Sequence, residues 1–139
     1  MNAIDTNIFA YAFDPADPGK QAKARQLLFD LVAKPPESVL LWQVAVEFLA
    51  FLRKAEGRGR LTAEEVKTRF QEVLQLFSVQ LPTVRIFERG FNLYERYSLS
   101  HWDSLLIAAC HEAGVTRLYS EDMQHGADYD GVTIVNPFT

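Results

Sequence analysis

Five short apolar segments, residues 1–4, 39–41, 79–81, 117–120 and 132–135, punctuate the chain, and the first four are separated by stretches whose apolar residues recur at helical spacing. Short strands alternating with helices in this way argue for parallel pairing through crossovers. The helical stretches are marked by Ile8, Phe9 and Phe13, then by Ala24, Leu27, Leu28 and Leu31 within 20–33, and then by the apolar run of 43–55. Thr62-Ala63-Glu64-Glu65 is a capping box that opens a helix to about Phe77. Val84, Phe87, Phe91 and Tyr94 mark the next helix, and Trp102, Leu105, Leu106 and Ala109 the last, ending near Gly114. The pattern predicts an α/β fold: a three-layer sandwich with a central, mostly parallel sheet of about five short strands and helices on both faces. The helices of 43–55 and 63–77 form a protruding helical hairpin.

At 139 residues with neither repeat nor linker, residues 1–139 read as a single domain with one core. Fourteen Lys and Arg against eighteen Asp and Glu give a net charge of −4, so any attraction to nucleic acid must come from a local basic patch or a metal. Cys110 is the sole cysteine, which excludes an internal disulfide and a cysteine-based zinc site. The start of the chain lacks a basic region followed by an apolar stretch, and no run approaches the ~18 apolar residues of a membrane span. The expectation is a soluble, cytoplasmic protein with no membrane association.

In a parallel sheet, ligands bind beyond the carboxyl ends of the strands, which makes that edge the place to look for chemistry. Asp5 follows the first strand directly and is either an edge carboxylate or the N-cap of the next helix. Asp122 holds the equivalent place after the 117–120 strand, as an edge carboxylate or a turn residue. Glu47 is surrounded by Val44, Ala45, Val46, Phe48, Leu49 and Ala50. Buried there, it needs a partner or a metal; with Gln43 and Lys54 it could instead form a narrow solvent stripe. Asp103 lies three residues after Ser100 at a helix start, where capping is the structural alternative, beside Trp102, Leu105 and Leu106, which read as core. Two acids ending strands and two at helical positions facing the same edge make a carboxylate cluster. Oxygen-only donors without a His or Cys cluster suit Mg²⁺ or Mn²⁺, ions that polarise a phosphoryl oxygen and activate water for attack on a phosphodiester. His101, His111 and His125 lack a ligand spacing.

Asp5-Thr6-Asn7, Gln43-Val44-Ala45-Val46-Glu47-Phe48, Trp102-Asp103-Ser104-Leu105-Leu106-Ile107-Ala108-Ala109 and Ser120-Glu121-Asp122-Met123 resemble, in this order, the motifs of a PIN domain. The resemblance spans nearly the whole chain and is strongest to the VapC-type toxins of bacterial toxin–antitoxin pairs. It implies a PIN-like fold and a Mg²⁺- or Mn²⁺-dependent endoribonuclease with Asp5, Glu47, Asp103 and Asp122 as catalytic, metal-holding acids. It also implies a cognate antitoxin and a homodimer. By analogy Thr6, Asn7 and Ser120 orient the carboxylates, and Glu121 either assists Asp122 or is a solvated turn residue. Ser104 stands where the family commonly has Ala, a small-for-small exchange.

Arg53, Lys54, Arg58 and Arg60 follow Glu47 closely and are either RNA-phosphate contacts or a solvated, mobile loop. Lys20, Lys23 and Arg25 form a weaker patch. Phe48, Phe51, Leu52, Phe70, Leu74 and Phe77 on the hairpin are mostly core, with a remainder available to an antitoxin helix. The competing functions are a PIN-like nuclease of RNA processing and a catalytically silent PIN interaction module. A receiver domain needs an adjacent acidic pair after the first strand, and an Asp-x-Asp phosphatase needs an acid where Asn7 stands.

Overall fold

A computed structural model describes all residues, 1–139. The chain order is β1 (Asn2–Ile4), α1 (Thr6–Phe13), α2 (Pro18–Ala33), β2 (Ser38–Leu41), α3 (Trp42–Gly57) and α4 (Ala63–Leu76). It continues with β3 (Ser78–Gln80), α5 (Arg85–Tyr97), α6 (His101–Glu112), β4 (Arg117–Tyr119), β5 (Asp128–Tyr129) and β6 (Val132–Val135). The six strands form one sheet in the order β3-β2-β1-β4-β6-β5, parallel throughout except for β5, which runs antiparallel to β6. β5 is the strand beyond the five expected. It pairs across Asp130-Gly131, a two-residue hairpin turn in which both residues have positive φ.

β1 is buried at every position and lies between β2 and β4. From β1 the chain winds outward to β2 and β3 on one side; β4 and β6 lie on the other. The strand order therefore reverses between β1 and β4, and a reversal of this kind opens a crevice at the carboxyl edge. Ile4 and Tyr119 are register partners at that edge, so the residues that follow them, Asp5 and Ser120, are neighbours across the crevice.

Phe48 is fully buried and its ring meets Phe9 and Phe13 of α1, Phe51 of its own helix and Phe70 of α4, with centroids 5.4–6.5 Å apart. This aromatic cluster anchors the α3–α4 hairpin to α1, so most of the hairpin's apolar surface is indeed core, while Leu74 remains exposed. The Thr62 box forms as expected: Thr62 Oγ1 accepts from the Glu65 N–H and Glu65 Oε1 from the Thr62 N–H.

One expectation about the core is corrected, at Trp102, and the apolar stripe that marks α5 faces solvent. The period that marks α5 is right, but its stripe points outward: Val84, Phe87, Phe91 and Tyr94 are exposed, Phe91 at 71%. The helix packs on α6 through Leu93 and Gly90 instead. A Cβ on Gly90 would stand 3.0 Å from the Leu105 side chain, which is why the helices can approach so closely there. Trp102, read as core, is 65% exposed, whereas Leu106 is buried and Leu105 half-buried. The Cys110 thiol is buried on α6, and both burial and the charge of Asp5 push its pKa up. No helix is long and apolar enough to cross a membrane.

Candidate active site

Asp5 combines the two roles that its sequence position left open. Its backbone N–H continues the sheet by donating to the Tyr119 carbonyl at 2.8 Å. Its Oδ1 then accepts from the Thr6 N–H at 2.7 Å, capping α1, and its Oδ2 accepts from Ser120 Oγ at 2.7 Å. The carboxylate is only 6% exposed. Desolvation raises its pKa to about 6, against the lowering effect of the Ser120 and Thr6 hydrogen bonds; the charges of Asp122 and then Glu47 add to the rise.

Ser120, wholly buried, is the hinge of the site. Its hydroxyl donates to Asp5 Oδ2 and accepts from the Asp122 N–H at 3.1 Å, so one side chain fixes both the first carboxylate and the turn that carries the second. Asp122 itself is exposed, and its carboxylate has neither hydrogen bond nor ion pair within the protein.

Glu47 lies in the second turn of α3 and is exposed, so it belongs to a solvent stripe and is not the buried carboxylate that its apolar neighbours suggest. Val46 and Ala50 beside it are also exposed, and the buried face is formed by Val44, Ala45, Phe48 and Leu52. Glu47 is nevertheless near enough to Asp5 for its charge to add to the rise in the Asp5 pKa. Asp103 is half-buried in the first turn of α6. Ser100 Oγ caps that helix through the Asp103 N–H at 3.1 Å, but the Asp103 carboxylate makes no return bond, unlike Glu65 in the Thr62 box. Its carboxylate is thus not consumed by capping. Gln43 Nε2 donates to the Trp102 carbonyl at 3.5 Å, which brings the starts of α3 and α6 together. Asp103 is not among the charges that press on Asp5.

Glu121 is neither a solvated turn residue nor a free helper of Asp122. Its Oε1 accepts from Lys20 Nζ at 2.7 Å and from the Tyr11 hydroxyl at 3.1 Å, and the ammonium also lies 4.7 Å from the Tyr11 ring centroid. This three-residue tether, which joins α1, α2 and the loop after β4, went unrecognised in the sequence: Lys20 and Tyr11 are far from Glu121 along the chain. Asn7 Oδ1 accepts a long bond, 3.5 Å, from the Glu121 N–H.

Three buried polar atoms here have no protein partner: Thr6 Oγ1, Asn7 Nδ2 and Glu121 Oε2. Buried groups of this kind are normally satisfied, so their concentration beside Asp5 marks a place built to bind something polar. No three of the chain's His, Cys, Asp and Glu side chains stand close enough to form a ready-made metal cage. The donor chemistry nonetheless fits a hard divalent cation. The donors are carboxylate and hydroxyl oxygens, and a desolvated carboxylate under pressure from two other acids is relieved by positive charge. Of the histidines, His101 is exposed and packs edge-on against the Trp102 ring, and His125 Nδ1 accepts from the Asn136 N–H. Neither is tied to the acids.

A family model of the PIN domain matches residues 3–127. The chain belongs to the PIN domain family. No curated protein matches the sequence. Among solved structures, the fold of this PIN domain is similar to a toxin–antitoxin complex from Klebsiella pneumoniae, with a TM-score of 0.68 at 21% identity over 99% of this chain and 98% of that one. It is similar to the sarcin–ricin loop cleaving toxin VapC20 of Mycobacterium tuberculosis, with a TM-score of 0.66 at 18% identity, covering 88% and 90% of the two chains. VapBC2 from Rickettsia felis, bound to a DNA fragment from its promoter, gives a TM-score of 0.66 at 12% identity over 96% of each chain. All of the ordered motifs, from Asp5 to Asp122, fall inside the matched family segment.

Proposed function

We propose that this PIN domain is a Mg²⁺- or Mn²⁺-dependent endoribonuclease of the VapC type, acting in the cytoplasm as the toxin of a type II toxin–antitoxin pair. The observation that carries the reading is the Asp5–Ser120–Asp122 bridge at the β1/β4 switch point, under the charge of Glu47, in a chain of PIN family membership. Asp5, Glu47, Asp103 and Asp122 are the acids that would hold the ion. When bound, Mg²⁺ or Mn²⁺ supplies polarisation of the phosphoryl oxygen and activation of water.

The chain's own groups do the rest. The buried Asp5 carboxylate is held in one orientation by two hydrogen bonds, so little reorganisation is left for the moment of reaction. Ser120 positions Asp122 relative to Asp5, and the Lys20–Glu121–Tyr11 tether fixes the loop that carries both. Thr6 Oγ1 and Asn7 Nδ2 are polar atoms with capacity to spare for water or a phosphate oxygen.

An antitoxin partner is supported by the complexes among the similar structures. A homodimer is supported by the outward stripe of α5 and the groove beside it, about 350 Å³, lined by Trp42, Leu81, Val84 and Phe87. An exposed apolar patch of this extent normally marks an interaction surface. The test is cleavage of a panel of structured RNAs by antitoxin-free protein with Mg²⁺ or Mn²⁺, beside a chelator control and Asp5→Asn. Cleavage that needs metal and disappears in Asp5→Asn is expected. Metal-independent cleavage, or cleavage retained by Asp5→Asn, overturns the assignment of the acids.

A further inference from the structure

Where the hairpin meets α2 and the carboxyl end of α1, a groove of about 670 Å³ opens. Its walls carry Arg25 of α2, Lys54 of α3, Arg58 and Arg60 of the hairpin turn, and Arg69 of α4. Asp14 is the one acid of the lining, so five cationic groups stand against one anionic group in a chain whose net charge is −4. The floor is apolar: Phe13, Phe51, Leu52 and Leu61.

Lys54, Arg58 and Arg60 are exposed and make no ion pair. Arg69 has only a long 3.8 Å contact with Glu72, and its guanidinium lies 5.9 Å from the Phe13 ring centroid. Arg25 is held in place by donating from Nε to the Ala12 carbonyl at 2.8 Å. The Asp14 carboxylate is turned to its own loop, accepting from the Ala16 N–H. Most of the cationic charge is therefore unneutralised.

The turn that presents Arg58 and Arg60 is not a slack loop. Gly59 takes φ +74°, its N–H donates to the Glu56 carbonyl, and the Arg60 N–H reaches back to the Ala55 carbonyl, both at 2.9 Å. This is the 6→1 and 5→2 pairing of a Schellman cap, which only a residue tolerant of positive φ can close. The two arginines flank that fixed glycine. Arg53, which lies beside them in sequence, is not part of the groove, whereas Arg25 and Arg69 come to it from other helices.

We infer that this groove is a binding site for the phosphate backbone of single-stranded RNA, gripping the strand a few nucleotides from the bond that is cut. The inference rests on the nuclease reading above. Lys54 follows Glu47 by seven residues, two turns along α3, or roughly 10 Å at 1.5 Å per residue. A strand lying across the acids can therefore run along α3 into the groove. Arginine forks match phosphate oxygens bidentately, and the aromatic floor accepts a base face. Such a grip explains how an acidic protein holds a polyanion: the field is local.

The test uses the full chain in EDTA and reads fluorescence anisotropy of a short labelled oligouridylate as salt is raised. The variants are the triple Lys54→Ala/Arg58→Ala/Arg60→Ala, which keeps Gly59, and a control, Lys23→Ala/Lys67→Ala, with both changes outside the groove. Melting temperature confirms that each is folded. The triple is expected to weaken binding on the order of tenfold and to lower the slope of log K against log[salt] by about 2, from ~0.7 per lost phosphate contact. The control is expected to change affinity by less than about twofold. Parent-like affinity and slope in the triple, or no binding by the parent, overturns the inference. So does a triple that keeps RNA but loses an acidic, leucine-containing peptide, which would make the groove a protein-docking site. Metal-dependent cleavage with the same KM for the oligonucleotide in parent and triple would remove the groove and leave the nuclease standing. Groove-dependent binding without cleavage would do the reverse.

Discussion

Replacing Asp5 with Asn is expected to destroy activity and yet stabilise the metal-free protein. The fold raises the pKa of this carboxyl from 3.8 to about 6, which is worth about 3 kcal/mol. A raised acid binds its proton more tightly in the folded than in the unfolded state. Its stabilising contribution is therefore complete below pH 3.8, declines as pH rises through the window from 3.8 to about 6, and is absent above it. At neutral pH the native state bears the whole cost of the buried charge. Asn keeps the shape, retains an acceptor for the Thr6 N–H, and disturbs the bond from Ser120, a loss of about 1 kcal/mol. The net gain for Asp5→Asn in EDTA at pH 7 is then about 2 kcal/mol, which for a domain of this length is a rise in Tm of about 6 °C. The gain should vanish near pH 4, where the parent's Asp5 is protonated. Saturating Mn²⁺ should reverse the order, because only the parent gains about 2.7 kcal/mol at a metal concentration of ~100 Kd. Differential scanning calorimetry of both proteins at pH 4 and 7, with and without Mn²⁺, decides. A variant no more stable than the parent at pH 7, or a difference that ignores pH, would show that Asp5 is not a desolvated anion.

Ser120→Ala leaves Asp5 with one hydrogen bond and frees the Asp122 turn; it should cost about 1–2 kcal/mol in urea denaturation and reduce metal-dependent cleavage well beyond that loss of fold. Thr62→Ala removes the capping box that opens α4 and should lower stability by about 1 kcal/mol in urea denaturation; an unchanged midpoint would show that the box contributes nothing to the fold. Phe87→Glu together with Phe91→Glu places charge on the outward face of α5, and sedimentation velocity should then report a monomer where the parent is a dimer. A parent that is already monomeric removes the α5 interface.

Periodicity and punctuation carried most of the fold. The alternation of apolar runs and helical stretches fixes the parallel sheet, and with it the edge at which Asp5 and Ser120 meet, because each follows a strand directly. What periodicity does not carry is which of two apolar faces a helix turns inward. In α5 the decision was made by Gly90 and Leu93 against α6, leaving the larger side chains of Phe87 and Phe91 outside. Glu47 shows the same limit: amid apolar neighbours its position reads equally as a buried carboxylate or as part of a solvent stripe with Gln43 and Lys54, and the partial covering of α3 decides for the stripe. β5 was missed although Asp130-Gly131 is a strong hairpin signal, because two residues of strand leave no alternation to see. Long-range pairings such as Lys20 with Glu121, and the convergence of Arg25 and Arg69 on the hairpin turn, have no local signature at all; they exist only once the helices are packed.

The placement of Cys110 turns the protein into its own reporter. It is the only thiol, it lies sealed in α6 beneath Asp5, and burial holds it in the unreactive protonated form. A thiol reagent therefore meets nothing in the closed molecule, and its rate of consumption counts openings of α6 one molecule at a time. With no label attached and no residue changed, that rate can be followed as metal, RNA or a partner is added, and each ligand that grips the sheet edge should be visible as a slowing of the clock.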